Sequence, residues 1–280
     1  MLSIGDYTLH TLDVQDFSLD GGSVFGVVPR VLWEKVIAPD HLNRVRLSMR
    51  ILLIKGNGRN ILVDAAMGTA WSGKMKAIYD LSEWRLDEEL HNAGLGREEI
   101  TDIIFTHLHF DHVAGAFEER GERLVPVFPN ARCFVQKDNY ETALKPNIKE
   151  KSSYPLPFVE ALGKSGSMEL VDGSFELLPG VEMVPTGRGH TAGHQLVKIR
   201  GGGVSVIHGG DLIPSSAHLG LTRGLGFDVA PLEVIHEKAA LLDDLLGNRR
   251  ILYFAHDPFI VAARVRRGEK HVVVDEEVDV

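Results

Sequence analysis

Four residues within six positions, His107, His109, Asp111 and His112 of the segment HLHFDH, carry the most concentrated chemistry in this sequence. They follow the apolar run Asp102 to Phe105, which reads as a buried strand. In an extended chain, residues two apart point the same way, so His107 and His109 can bring two imidazoles to one metal ion. The chain then turns, and Asp111 and His112 leave in another direction, where a carboxylate and an imidazole can serve a second ion. This donor chemistry suits zinc, with iron, manganese and cobalt as the alternatives, since thiolate is absent from the set.

A dinuclear site needs more than four ligands. The sequence offers further polar groups where apolar strands run into loops, the usual place for a site on a sheet scaffold. They are the segment GHTAGH at 189–194, Gly209-Gly210-Asp211 after VSVIH, and Ala255-His256-Asp257 after ILYF. In GHTAGH either His190 or His194 can be the ligand. His208, at the end of VSVIH, reads as a satisfied core histidine.

The elements that must hold these groups alternate between short strands and helices. Strands are expected from Tyr7 to Val14, in SMRILLI and NILVD around the turn GNGR, in DIIF, and at 132–136. The segment 82–94 has a Ser82 cap, an acidic first half and a glycine stop, which predicts an amphipathic helix. The stretch 145–157, KPNIKEKSSYPLP, reads as an exposed connection. The second half predicts strands in ELVDG, FELLPG, VEMVPTG, QLVKI, VSVIHGGD and ILYFAHD, and a helix over 231–247. Antiparallel-looking strand runs with interspersed helices fit a sheet-on-sheet core covered by helices, in one domain over 1–280. The apolar, glycine-rich stretch 20–29, DGGSVFGVVP, reads either as a bulge packed under a helix or, if it is the early hairpin loop of the fold that the resemblance given below implies, as a loop over the ions with Phe25 against substrate.

Composition narrows the partners. A net charge of -9 repels phosphate backbones and anionic lipid, which argues against nucleic acid. The single cysteine, Cys133, forms no internal disulfide and suits a cytoplasmic protein. The first residues carry acids where a secretory leader needs a basic and then an apolar stretch, and no run approaches the ~18 apolar residues of a membrane span. A small molecule is the expected partner; the oligomeric state is not legible.

HLHFDH, GHTAGH, the GGD segment and the late AHD segment, in this order and with Asp64 closing NILVD, resemble the metallo-β-lactamase superfamily of dinuclear metallohydrolases. The resemblance runs from about Asp64 to His256. It implies an α+β fold, a four-layer αββα sandwich with the ions at one end of two packed sheets. It also implies that His107, His109 and His190 hold one divalent ion, that Asp111, His112 and His256 hold the other, and that Asp211 bridges them. Of the GHTAGH histidines it selects His190, directly before Thr191, leaving His194 to support or pack. Asp64 would steady the histidine loop without touching metal.

The activity implied is hydrolysis of a small ester, lactone or thioester by a hydroxide bridging the two ions, with Asp211 positioning it and receiving the proton. Asp211 stands where zinc β-lactamases commonly place a cysteine, so the chain is more similar to the glyoxalase II, lactonase and phosphodiesterase branches. Phosphodiester hydrolysis is the alternative activity, and a metal-dependent redox or sensing protein a third. Acyl-homoserine lactonases carry a tyrosine shortly after the bridging aspartate. Here that stretch reads LIPSSAHLG, and its one titrating group, His218, is expected to stabilise the oxyanion or protonate the leaving group.

Overall fold

A computed structural model describes residues 1–280. Strand β1 (Leu2–Ile4) leads into β2 (Tyr7–Asp20), which pairs along its whole length with β3 (Arg44–Gly56). Strand β2 runs six residues past the expected end at Val14. A bulge between Asp13 and Gln15 shifts the alternation there, so that Val14 and Gln15 are both buried. Gln15 survives burial because its amide donates to the Gly68 and Ser82 carbonyls, each at 3.2 Å. Strand β4 (Arg59–Val63) continues antiparallel to β3, and β5 (Asp102–Ile104) pairs parallel to β4. After a separate hairpin, β6 (Phe117–Arg120) and β7 (Arg123–Pro126), strands β8 (Arg132–Gln136) and β9 (Met168–Val171) complete the first sheet in parallel.

The second sheet is laid down in chain order: β10 (Phe175–Leu178), β11 (Val181–Gly187), β12 (His194–Gly201), β13 (Val204–His208), β14 (Ile251–Tyr253), β15 (Ala262–Arg267) and β16 (Val272–Val278). Only β13 and β14 are parallel. They are joined by a crossover through the long helix at Pro231–Asn248.

Strand parity builds the layers. Leu52, Ile54, Ile61, Val63 and Ile104 of the first sheet meet Val197, Ile199, Val206, Ile251 and Tyr253 of the second in one apolar layer. Their neighbours Ile51, Leu53, Leu62 and Ile103 point outward into a layer with Leu86, Leu90, Val159 and Leu162. On the far side Leu196, Ile207 and Leu252 pack against Val234, Leu241, Leu242 and Leu245. Both faces of each central strand are therefore covered, which is why these strands read as continuous apolar runs. The architecture is the four-layer αββα sandwich.

The helices are α1 (Gly21–Phe25), α2 (Arg30–Trp33), α3 (Gly73–Tyr79), α4 (Leu86–Asn92), α5 (Phe110–Val113), α6 (Lys137–Leu144), α7 (Leu156–Lys164) and α8 (Pro231–Asn248). Three departures from the sequence reading have local causes. Helix α4 starts four residues late because the Ser82 hydroxyl accepts the Asp16 amide, 2.8 Å, across to β2 instead of capping a helix. The 20–29 stretch is not all loop, because the Asp20 carboxylate accepts the Gly22 and Ser23 amides and winds α1. The 145–157 stretch is not simply exposed: Glu150, Ser153 and Tyr154 are buried, and α7 begins at Leu156. Arg264, Arg266 and Arg267 lie on β15 and pair with Glu276, Asp275 and Asp243. No helix is long and apolar enough to cross a membrane.

Candidate metal centre

The polar groups singled out in the sequence gather where strands of both sheets end. His107 and His109 follow β5, Asp111 and His112 sit on α5, and Asp64 follows β4. From the second sheet come His190 between β11 and β12, Asp211 after β13, and His256 after β14. Two buried sets result: His107, His109, His190 and Asp211, and Asp111, His112, Asp211 and His256. Asp211 belongs to both.

Their spacing matches a cation at each centre. In the first set His107 Nε2, His109 Nδ1 and His190 Nε2 stand 3.0 to 3.3 Å apart, and Asp211 Oδ2 lies 3.5 Å from His190 Nε2. In the second, Asp211 Oδ1 is 3.3 Å from both His112 Nε2 and His256 Nε2, which are themselves 3.2 Å apart. The Asp111 oxygens lie 3.7 and 3.8 Å from the same two nitrogens. Donors ~2.0–2.1 Å from a tetrahedral ion stand about 3.4 Å from one another.

Hydrogen bonds on the remote side of four of the five rings fix which nitrogen faces inward; His109, which turns Nδ1 inward, has no such partner at Nε2. His112 Nδ1–H donates to Asp64 Oδ2 at 2.8 Å, His190 Nδ1–H to Asp228 Oδ1 at 2.9 Å, and His256 Nδ1–H to the Ser48 carbonyl at 2.9 Å. Thr106 Oγ1 gives its hydrogen to Asp64 Oδ2 and so accepts from His107 Nδ1–H at 3.0 Å. Lone pairs therefore converge on each centre, and the buried Asp211 Oδ1 has no hydrogen-bond donor among the protein groups. Such an arrangement is repulsive unless cations occupy it, so the residues fit a pair of metal ions.

The electrostatics of the protein groups differ between the two centres. Burial and the neighbouring imidazoles push His107 and His109 well below the ordinary histidine value, which keeps them neutral. At the second centre burial opposes charge, but Asp64, Asp211 and Asp111 outweigh it and raise His112 well above that value. Burial likewise fails to raise Asp211, which His112 and His256 hold well below the usual carboxylate range. The carboxylates draw positive charge to this spot.

His194 stays outside both sets, and its Nε2 accepts the backbone N–H of Asp211 at 3.1 Å. Gly210 permits that approach: its φ is +50°, and a Cβ there would stand 2.4 Å from His194 Nε2. His208 packs on Tyr253 in the core. Asp64 itself has φ +64° and accepts the Thr106 amide at 2.7 Å, tying the β4 end to the histidine loop. Asp257 accepts the Ser216, Phe259 and Ile260 amides, which holds the His256 loop against the turn before His218. Asp228 and the Ser48 carbonyl were not foreseen, because nothing in their local sequence relates them to the histidines they orient. Thr106 had a signal, standing directly before HLHFDH.

A cleft opens onto the two sets. Phe17, Leu19, Val24, Leu47, Leu225 and Phe227 give it an apolar wall, and no lysine or arginine lines it. Phe25, expected against substrate, is not on that wall. Helix α1 presents Val24 to the cleft and turns Phe25 inward, stacked between Trp33 and His218 at centroid distances of 5.2 and 5.4 Å.

His218 does line the cleft, but both of its ring nitrogens are already engaged. Nε2–H donates to the Val24 carbonyl at 2.9 Å, so Nδ1 is an acceptor and takes the Ser215 hydroxyl at 2.7 Å. Burial, then Lys238, push its pKa down to about 4. In this arrangement neither ring nitrogen is free to donate to a substrate. We expect His218→Ala to keep both metal ions and turnover within about tenfold while losing about 1–3 kcal/mol of stability to the orphaned partners. A drop of ~10²–10⁴ in turnover with metal and fold intact would establish the general-acid role.

A model of the metallo-beta-lactamase superfamily matches residues 50–256. The N-acyl homoserine lactonase AiiB of Agrobacterium fabrum is 31% identical over 201 residues, covering 66% of this chain and 69% of that protein. The chain spans about two fifths of the length of the curated relatives it matches first, N-acyl homoserine lactonases from Bacillus. Among solved structures, a probable metal-dependent hydrolase from Staphylococcus aureus superposes with a TM-score of 0.88 at 30% identity, over 99% of this chain and 100% of that one. AidC, a dizinc quorum-quenching lactonase, superposes at 0.82 over 100% of this chain and 97% of its own, a likeness of fold at 21% identity.

Proposed function

Because this chain belongs to the metallo-beta-lactamase superfamily, we propose that it is a dinuclear metal-dependent hydrolase of a small neutral lactone, with esters and thioesters as related substrates. The observation that carries the reading is the pair of buried donor sets sharing Asp211 at the floor of an apolar cleft without fixed cations. His107, His109 and His190 would hold one ion, Asp111, His112 and His256 the other, and Asp211 both. Zinc is the proposed metal, given imidazole and carboxylate donors at tetrahedral spacing. Bound there, two such ions supply a water ionised near neutrality and a Lewis acid for the attacked oxygen.

The chain's own residues do the rest. His194 holds the backbone of Asp211, so the shared carboxylate is fixed between the two sets. Asp64, Asp228 and the Ser48 carbonyl keep the remote ring hydrogens of His112, His190 and His256, and Thr106 that of His107, so that these four imidazoles present a lone pair. The apolar wall takes the carbon skeleton of the substrate and keeps bulk water away from it. The curated lactonase relatives make a lactone the first choice, and the single buried, unpaired Cys133 suits work in a reducing compartment.

A phosphodiester is the less favourable substrate because its charge finds no lysine or arginine in the cleft. The test is a comparison of kcat/KM for an N-acylamino lactone, an acyl thioester and an aromatic phosphodiester on the zinc-loaded chain. The lactone is expected to exceed the phosphodiester by at least ~10²-fold, about 3 kcal/mol in transition-state binding. The opposite order would replace this reading with the phosphodiesterase one.

A further inference from the structure

One buried side chain grips both loops that carry the first donor set. Asn139, on α6, accepts the Leu108 amide at Oδ1, 2.9 Å, between His107 and His109. Its Nδ2 donates to the Ala192 carbonyl at 2.7 Å, two residues past His190, and to the Tyr154 hydroxyl at 3.1 Å. Those loops leave different sheets, so nothing in the strand pairing alone sets the gap between them.

The hydrogen bonds continue in a single direction. Thr191 Oγ1 donates to the Glu150 carboxylate, so the Tyr154 hydroxyl, 2.6 Å away, must donate to Thr191. Asn139 in turn donates to Tyr154. All four side chains are buried, and each hydrogen has one acceptor. The Tyr154 ring also stands edge-on to His109, centroids 4.7 Å apart, and the Ser153 carbonyl accepts the Phe110 amide at 2.9 Å. The loop at 189–194 runs close against α6 here: Gly193 has φ +71°, and a Cβ there would stand 2.4 Å from the backbone nitrogen of Asn139.

The second donor set is steadied otherwise, His112 by Asp64 and His256 by the Ser48 carbonyl, and takes no bond from this chain of groups; Asp64 reaches the first set only through Thr106 and His107. We propose that Asn139, Tyr154, Thr191 and Glu150 are positioning residues for the His107, His109 and His190 centre alone, so that the two metal sites of this protein can be loosened independently. The proposal rests on the metal reading given above and adds which buried network sets which site.

The test is a zinc titration of the full chain against a chromophoric chelator, with Tyr154→Phe as the main variant, since it removes only the hydroxyl. One of the two zinc ions should bind about 10–100-fold more weakly, the range for a lost outer hydrogen bond, and the other within about twofold of wild type. In a His190→Ala background, which removes a ligand of the first centre, Tyr154→Phe should not weaken the remaining ion further. Asn139→Ala should affect the same ion as Tyr154→Phe. Equal weakening of both ions, or no change at either, would overturn the proposal while leaving the metal reading in place. A wild-type chain that bound no zinc would remove both.

Discussion

Asp211→Ala should lower kcat/KM for the best substrate by ~10³-fold or more, the equivalent of the several kcal/mol that a paired metal site supplies to a transition state. Asp211 is the one residue common to both donor sets, and its two oxygens reach His190 on one side and His112 and His256 on the other. Its anchor to the fold is the backbone N–H held by His194, which the substitution leaves in place. The variant should therefore fold normally while its zinc content drops from two ions per chain to one or fewer. Circular dichroism, elemental analysis and turnover on one preparation check all three. Wild-type turnover would mean that the shared carboxylate has been misassigned.

Asp64→Ala should act through the fold as well as the metal. The carboxylate is buried and accepts the Thr106 amide, the Thr106 hydroxyl and His112 Nδ1–H. Alanine leaves those donors unpaired and places a residue with a Cβ but no compensating side-chain bond at φ +64°. A loss of about 3–5 kcal/mol is expected in chemical denaturation, together with zinc binding about 10–100-fold weaker at the centre that His112 serves. Asp64→Asn, which tolerates the left-handed backbone, should lose less.

The pH dependence follows from the same bonds. Burial alone would raise the Asp64 carboxyl, but His112 outweighs it and holds the group below its ordinary value of 3.8. Its contribution to stability is then fully present above pH 3.8 and fades as the pH falls through the lower folded value. The wild type should lose stability over that acid range and Asp64→Ala should not share this component. Identical acid-unfolding profiles would count against it.

What could be read from the sequence was local. HLHFDH, the GGD turn and the AHD turn each follow an apolar strand, so strand periodicity placed each where a strand runs into a loop, while their meeting at one end of two sheets was implied only by the family resemblance. Choosing His190 over His194 needed the family resemblance, since both have the same chemistry and adjoin the same turn. The surroundings of Phe25 and His218 were not legible in the sequence for one nonlocal reason. The two rings stack on each other across 193 residues of chain, and the Val24 carbonyl claims the ring nitrogen that catalysis would need. Tyr154 and Glu150 sit in a lysine- and serine-rich stretch whose composition reads as surface, and only the loops they fasten bury them. The bulge in β2 likewise hid the second half of that strand by shifting its alternation.

The most direct test of the account is anomalous diffraction at the zinc edge from crystals of the loaded chain. Two peaks are predicted, one enclosed by His107, His109 and His190, the other by Asp111, His112 and His256, with Asp211 between them. A single peak, or peaks away from these residues, would contradict a dinuclear centre.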